Sequence, residues 1–132
     1  MAEADSLYLA KAEEALKSAQ SEFISGRYNN VANRAYYACF SAAVQALEDA
    51  GLQSHSAVAA WKHDALQAAF VGELINRRKL YSSELRSVLL RNQELRETAD
   101  YQRHAVTQTQ AARAVDRAEA FVTAVRQGNN RR

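Results

Sequence analysis

Arginine and histidine are the side chains of this sequence best equipped for chemistry on a phosphate. An imidazole can move a proton near neutral pH, and a guanidinium fork can hold charge growing on phosphate oxygens. Arginine supplies 13 of the 17 basic residues, and there are 3 histidines. Arg96 stands out. Leu85, Val88, Leu89, Leu95 and Ala99 recur at helical spacing as one apolar stripe, and Asn92, Arg96 and Arg103 fall inside it, with Asp100 at its margin. A lone charge in such a stripe costs several kcal/mol to desolvate. Asp100 lies one turn on, at i+4, so a partner is at hand. Two arrangements satisfy this: a buried Arg96–Asp100 clamp between helices, or a polar cleft or dimer seam where Arg96 meets an anion.

A second polar feature lies between residues 28 and 50. Val31, Ala32, Ala35, Tyr36, Ala38, Cys39, Phe40, Ala42, Ala43, Ala46 and Leu47 would cover most of a helix, whereas Asn30, Arg34, Tyr37 and Ser41 form a narrow polar strip. That strip reads as a solvated face, or as a binding site or subunit interface. His63 reads as a ring packed between helices with a carboxylate such as Asp100 for partner, or as the acid/base beside Arg34 and Arg96. His104, near a helix C-terminus, suits the dipole there, and His55 reads as a solvated loop residue. No histidine pair has ligand spacing with a carboxylate, and one cysteine makes neither a disulfide nor a Cys-based zinc site, so neither metal nor cofactor is expected. Cys39 reads as a small buried hydrophobe. Arg77, Arg78 and Lys79 form a basic knuckle, exposed and able to touch a phosphate backbone, with Tyr81 as a stacking neighbour. Arg113, Asp116, Arg117 and Glu119 read as surface ion pairs at i,i+3 and i,i+4.

The elements that must position these groups are helices. The chain has 132 residues, no proline, four glycines and 48% hydrophobic residues, and alanine fills 27 positions. Alanine loses least side-chain entropy in a helix, and hairpins or sandwiches need turn residues that are missing. Five helical segments are expected: Asp5 to Ser25, Tyr28 to just before Gly51, one through Trp61, Leu66 and Phe70 toward Ile75, one from Ser83 to about Gln102, and one from Thr107 to just before Gly128. Residues 128–132 would form a frayed tail. The expected fold is a single all-α domain over residues 1–132, an antiparallel four- to five-helix up-and-down bundle. No run approaches the roughly 20 apolar residues of a membrane span. The first residues carry acids where a signal peptide has bases, so a cytoplasmic location is expected. The net charge of +2 does not by itself imply a nucleic-acid partner, but residues 76–103 hold seven bases against four acids.

Three ordered segments, RYNNVANRAYYACFSAA (27–43), WKHDALQAAF (61–70) and LRETADY (95–101), resemble the HEPN family of small helical proteins. Arg34 with Tyr36 and Tyr37, His63 seven residues before Phe70, and Arg96 ahead of Ala99, Asp100 and Tyr101 carry the likeness. The resemblance implies a helical bundle that usually dimerises and often acts beside a minimal nucleotidyltransferase, as a toxin or an accessory subunit. Some members cut RNA with an arginine and a histidine separated by four to six residues. Here that spacing is absent: Arg91 is followed by Asn92 but has no histidine within reach, and seven residues separate Arg96 from His104.

The expectation is therefore a homodimeric module that binds RNA or a nucleotide through Arg34, Tyr37, Asp100, Tyr101, Arg77 and Arg78, with a nucleotidyltransferase-family protein as partner. The alternative is a metal-independent endoribonuclease toxin using Arg96 with His63 or His104.

Overall fold

The computed structural model describes residues 7–52, 61–101 and 105–130, and over them the chain is an all-α bundle. Helix α1 (Leu7–Ile24) ends at Gly26, whose φ of 75° is open to glycine and strained for other residues. The Arg27 N–H donates to the Glu22 carbonyl at 3.0 Å and the Gly26 N–H to Phe23 at 3.1 Å, a Schellman closure. Helix α2 (Tyr28–Asp49) closes the same way at Gly51. Its alanines 35, 38, 42, 43 and 46 are fully buried, so neighbours approach α2 closely on most sides.

Side-chain bonds fix the directions. The Leu9 N–H, one of α1's orphan donors, reaches Gln45 Oε1 at 3.1 Å, so α1 runs antiparallel to α2. Helix α5 (Gln108–Asn130) runs parallel to α2: Asn29 Oδ1 accepts from the Val106 N–H at 2.9 Å near one end, and Asn129 Nδ2 donates to Asp49 at 2.9 Å near the other. Helix α4 (Val88–Tyr101) opposes both. The short α3 (His63–Ala69) continues into a π-helical stretch, Phe70–Arg77, and this unit lies beside α2 in the same sense, His63 against Tyr36 and Arg78 against Ala50. The stretch ends with Lys79 at φ 55°, and a 3-10 turn at Ser83–Leu85, capped by Ser82, leads to α4. Phe70, Phe121, Leu47, Leu66, Leu74 and Leu89 fill the centre.

Of the two ends of α5, one agrees with expectation and one does not. Thr107 and Gln110 form a reciprocal capping box that starts α5 where the sequence placed it. That helix does not stop at Gly128, however. Gly128 is a packing glycine: a Cβ there would meet Tyr81 Oη at 2.7 Å. One residue on, buried Asn129 is held by Asp49, so the helix continues through residues expected to fray.

Candidate functional site

The chemistry-bearing side chains meet where α2, α3 and α4 adjoin. Tyr36 is the hub. It lies on the buried side of α2, 3% exposed, and its hydroxyl shares a 3.1 Å hydrogen bond with His63 Nδ1. The guanidinium of Arg96 stacks over the Tyr36 ring at 5.0 Å and over the Tyr37 ring at 5.7 Å, both within cation–π reach. Arg96 Nε, shielded from water, faces Asp100 Oδ2 at 3.6 Å, and its Nη1 donates to Gln93 Oε1 at 3.4 Å. Burial pushes the Tyr36 phenol up to about 12 against the opposing charge of Arg96, so the ring is neutral at physiological pH.

Both expected arrangements of Arg96 are thereby modified. The Arg96–Asp100 pair exists, but the two side chains are 26% and 35% exposed, so it is a half-sheltered clamp whose main support is the pair of tyrosine rings. His63 does not take Asp100 as its partner; Asp100 is engaged by Arg96, and the phenol of Tyr36 engages the Nδ1 of the imidazole. Arg34 does not join the cluster. It is exposed and forms no hydrogen bond or ion pair with another described residue. Tyr37, 43% exposed, lies on the strip it shares with Arg34.

Arg77 and Arg78 belong to the far end of the bundle. Arg77 pairs with Glu73 at 2.9 Å, and Arg78 donates to the Ala50 carbonyl at 3.0 Å, capping α2. Fourteen residues of helix separate Ala50 from Tyr36, a rise of about 20 Å. His55, Arg103 and His104 lie outside the described residues, as does the side chain of Tyr101, which ends α4.

His63 opens onto a groove of about 710 Å³ between α3 and α4, edged by Lys62, Asp64, Leu90, Gln93, Glu94 and Glu97. Three carboxylates against one ammonium make this groove repel a polyanion, which disfavours a scissile phosphate beside His63. Among the described residues no group of histidine, cysteine and carboxylate side chains could hold a metal ion.

Two polar centres have partners that the spacing along the chain does not show. Tyr36 falls among the apolar positions of α2, and its buried hydroxyl needs a partner and thereby marks a site. Asn92, fully buried, links α2, α4 and α5: Arg117 Nε donates to its Oδ1 at 2.8 Å, and its Nδ2 lies 3.4 Å from both Cys39 Sγ and the Ala114 carbonyl. Arg117 thus turns inward to Asn92, away from the surface pairing expected of α5. Cys39 is a small buried hydrophobe, as expected, and its burial pushes the thiol up to about 12.

A helical bundle with a histidine, an arginine and paired tyrosines at the join of three helices defines the class. The family model for the HEPN domain matches residues 6–128, nearly the whole chain, and the protein belongs to the HEPN family. Membership supports a nucleotide- or RNA-related module in general, and HEPN domains generally dimerise. Among curated proteins, none matches the chain. No helix among the described residues is long and apolar enough to cross a membrane.

Proposed function

We propose that this protein is a dimeric nucleotide- or RNA-binding HEPN module that works beside a minimal nucleotidyltransferase-type partner in the cytoplasm, as in toxin–antitoxin or defence systems, and does not itself cut RNA. One observation carries the reading: the Arg96 guanidinium is held by Tyr36, Tyr37, Asp100 and Gln93, while the Nδ1 of His63 is engaged by Tyr36. A catalytic arginine needs its fork free at the moment charge grows on phosphate. Here Arg96 instead orders two tyrosines, and the half-exposed Tyr37 ring with neighbouring Arg34 offers an aromatic surface and a cation to a base and its phosphate.

The test is binding and cleavage measured together. Short labelled RNA and ATP are titrated against wild type, Arg34→Ala, Tyr37→Ala and Arg96→Ala, and labelled total RNA is incubated with each. Weaker binding in Arg34→Ala and Tyr37→Ala, with no cleavage by wild type, supports the module. Unchanged binding in all three variants removes it.

The endoribonuclease reading keeps one observation in its favour. His63 and Arg96 both lie on the Tyr36 ring, at 5.7 and 5.0 Å from its centroid, so a phenol bridges an acid/base and a cation. RNA cleavage by wild type that disappears in both His63→Ala and Arg96→Ala would establish that reading over the binding module.

A further inference from the structure

A different face of the bundle concentrates positive charge. Arg91 on α4 and Arg113 and Arg117 on α5 line a groove of about 280 Å³, together with Thr98, Gln110 and Glu94. Three guanidinium groups against one carboxylate leave a surplus of two positive charges. Arg91 and Arg113 are exposed and form no ion pair with a described residue. Arg117 is half-buried and fixed, because its Nε is bound at 2.8 Å by Asn92, itself fully buried and held against α2 and α5. The Gln110 carbonyl oxygen is taken by the Thr107 N–H, which leaves its amide Nε2 as a donor in the same groove.

Three like charges against one carboxylate in the groove repel one another. The pKa of Arg117 is lowered, first by burial and then by the neighbouring charge of Arg91, with Arg113 adding to it and Cys39 and Asp116 opposing it in part. A fold that holds three arginines together in this way is stabilised by an anion that neutralises them, and the arginine fork is shaped for paired oxygen acceptors. A free phosphate or a phosphate monoester carries close to two negative charges, which matches the surplus here. A carboxylate or a single phosphodiester supplies one, so an RNA backbone would have to bring two successive phosphates. The volume, at the lower edge of small-molecule sites, suits a phosphate group with at most part of its nucleoside.

We infer that the α4–α5 groove is a phosphate-binding site built from Arg91, Arg113, the Asn92-anchored Arg117 and Gln110. It is separate from the Tyr36–Arg96–His63 cluster and does not depend on the function proposed for that cluster. The phosphate can belong to a free phosphate or nucleotide, or to an RNA backbone.

The experiment is an amide NMR titration of the full chain with inorganic phosphate, AMP and an eight-nucleotide single-stranded RNA. It compares wild type with Arg91→Ala/Arg113→Ala, a variant that loses no hydrogen bond or ion pair among the described residues and should melt no lower than wild type. Saturable shifts at Thr98, Gln110, Arg113 and Arg117 with phosphate, weakened ten-fold or more in the double variant, support the site. If RNA binding also weakens and its salt slope falls by about one to two, the phosphate is that of a polymer; if only phosphate and AMP are affected, it is that of a small molecule. Absence of saturable shifts with every phosphate ligand, or shifts unchanged in the double variant, overturns the site. So does a glutamate-rich peptide that occupies the groove more tightly than any phosphate. Loss of RNA binding in Arg34→Ala with the α4–α5 shifts intact would bear on the cluster alone, so the two readings fail separately.

Discussion

Removing Asn92 tests the polar centre of the bundle most directly. The residue is fully buried on the core stripe of α4 and takes one short, charge-assisted bond from Arg117 Nε at 2.8 Å, with two longer contacts at 3.4 Å to Cys39 and Ala114. A hydrogen bond to a charged group contributes about 1.5–3 kcal/mol, and truncation to alanine also leaves a small void and an under-solvated guanidinium. Because Arg117 is half-buried and can turn partly to water, we expect Asn92→Ala to cost about 2–4 kcal/mol in total. With an unfolding entropy of about 2.1 cal/mol/K per residue over 132 residues, a loss of 3 kcal/mol lowers Tm by about 10 °C. The assay is a double-mutant cycle with Arg117→Ala, measured by urea denaturation. The expected coupling is about 1.5–2.5 kcal/mol, since either single change already removes the shared bond. Coupling below about 0.5 kcal/mol would refute the reasoning, because the two side chains would then be contributing independently of each other.

Other outcomes follow from neighbouring features. Arg96→Ala should cost only about 1–2 kcal/mol, because its carboxylate partner is one-third exposed and the tyrosine stacking is the larger loss; a melting loss above about 10 °C would show a fully buried clamp. Cys39 has a thiol held near 12, above its unfolded value of about 8.5, so the native state retains a proton that the unfolded state releases. Its stabilising effect is complete below about pH 8.5 and is lost at about 1.4 kcal/mol per unit as pH rises toward 12, and Cys39→Ala should remove that onset in denaturation measured from pH 8 to 10. Gly128→Ala should destabilise by about 1–3 kcal/mol despite alanine's better helix propensity, because its methyl meets the Tyr81 hydroxyl. In a Tyr81→Phe background the cost should shrink, and an equal cost in both backgrounds would place the strain elsewhere.

The helices and their core were legible from alanine content, the absence of proline and the apolar stripes. Glycine stops at 26 and 51 and the Thr107 start of α5 were likewise readable, because each rests on bonding within a few residues of chain. Arg96 with Asp100 was legible for the same reason, being one turn apart. Contacts between distant segments were not. Nothing in the spacing says that Tyr36 and His63, 27 residues apart, share a proton, or that Arg117 reaches 25 residues back to Asn92. Gly128 misled because glycine is both a helix stop and the smallest surface for a tyrosine to rest against, and only the position of Tyr81 distinguishes the two. Arg34 and Arg96 looked alike in sequence, yet α2 turns the first to water while α4 lays the second across two rings.

The Leu9–Gln45 and Asp49–Asn129 bonds, joined through the 2.9 Å contact between Gln45 Nε2 and Asp49, draw positions near both extremities onto one pole of α2. A short flexible bridge across that pole should therefore close residues 7 and 130 into a continuous ring, and new ends could be opened between α1 and α2 at Gly26. A circular permutant made this way should keep its native tertiary structure. Fluorescent reporters attached at the two original positions would sit side by side, well away from the tyrosine-stacked arginine.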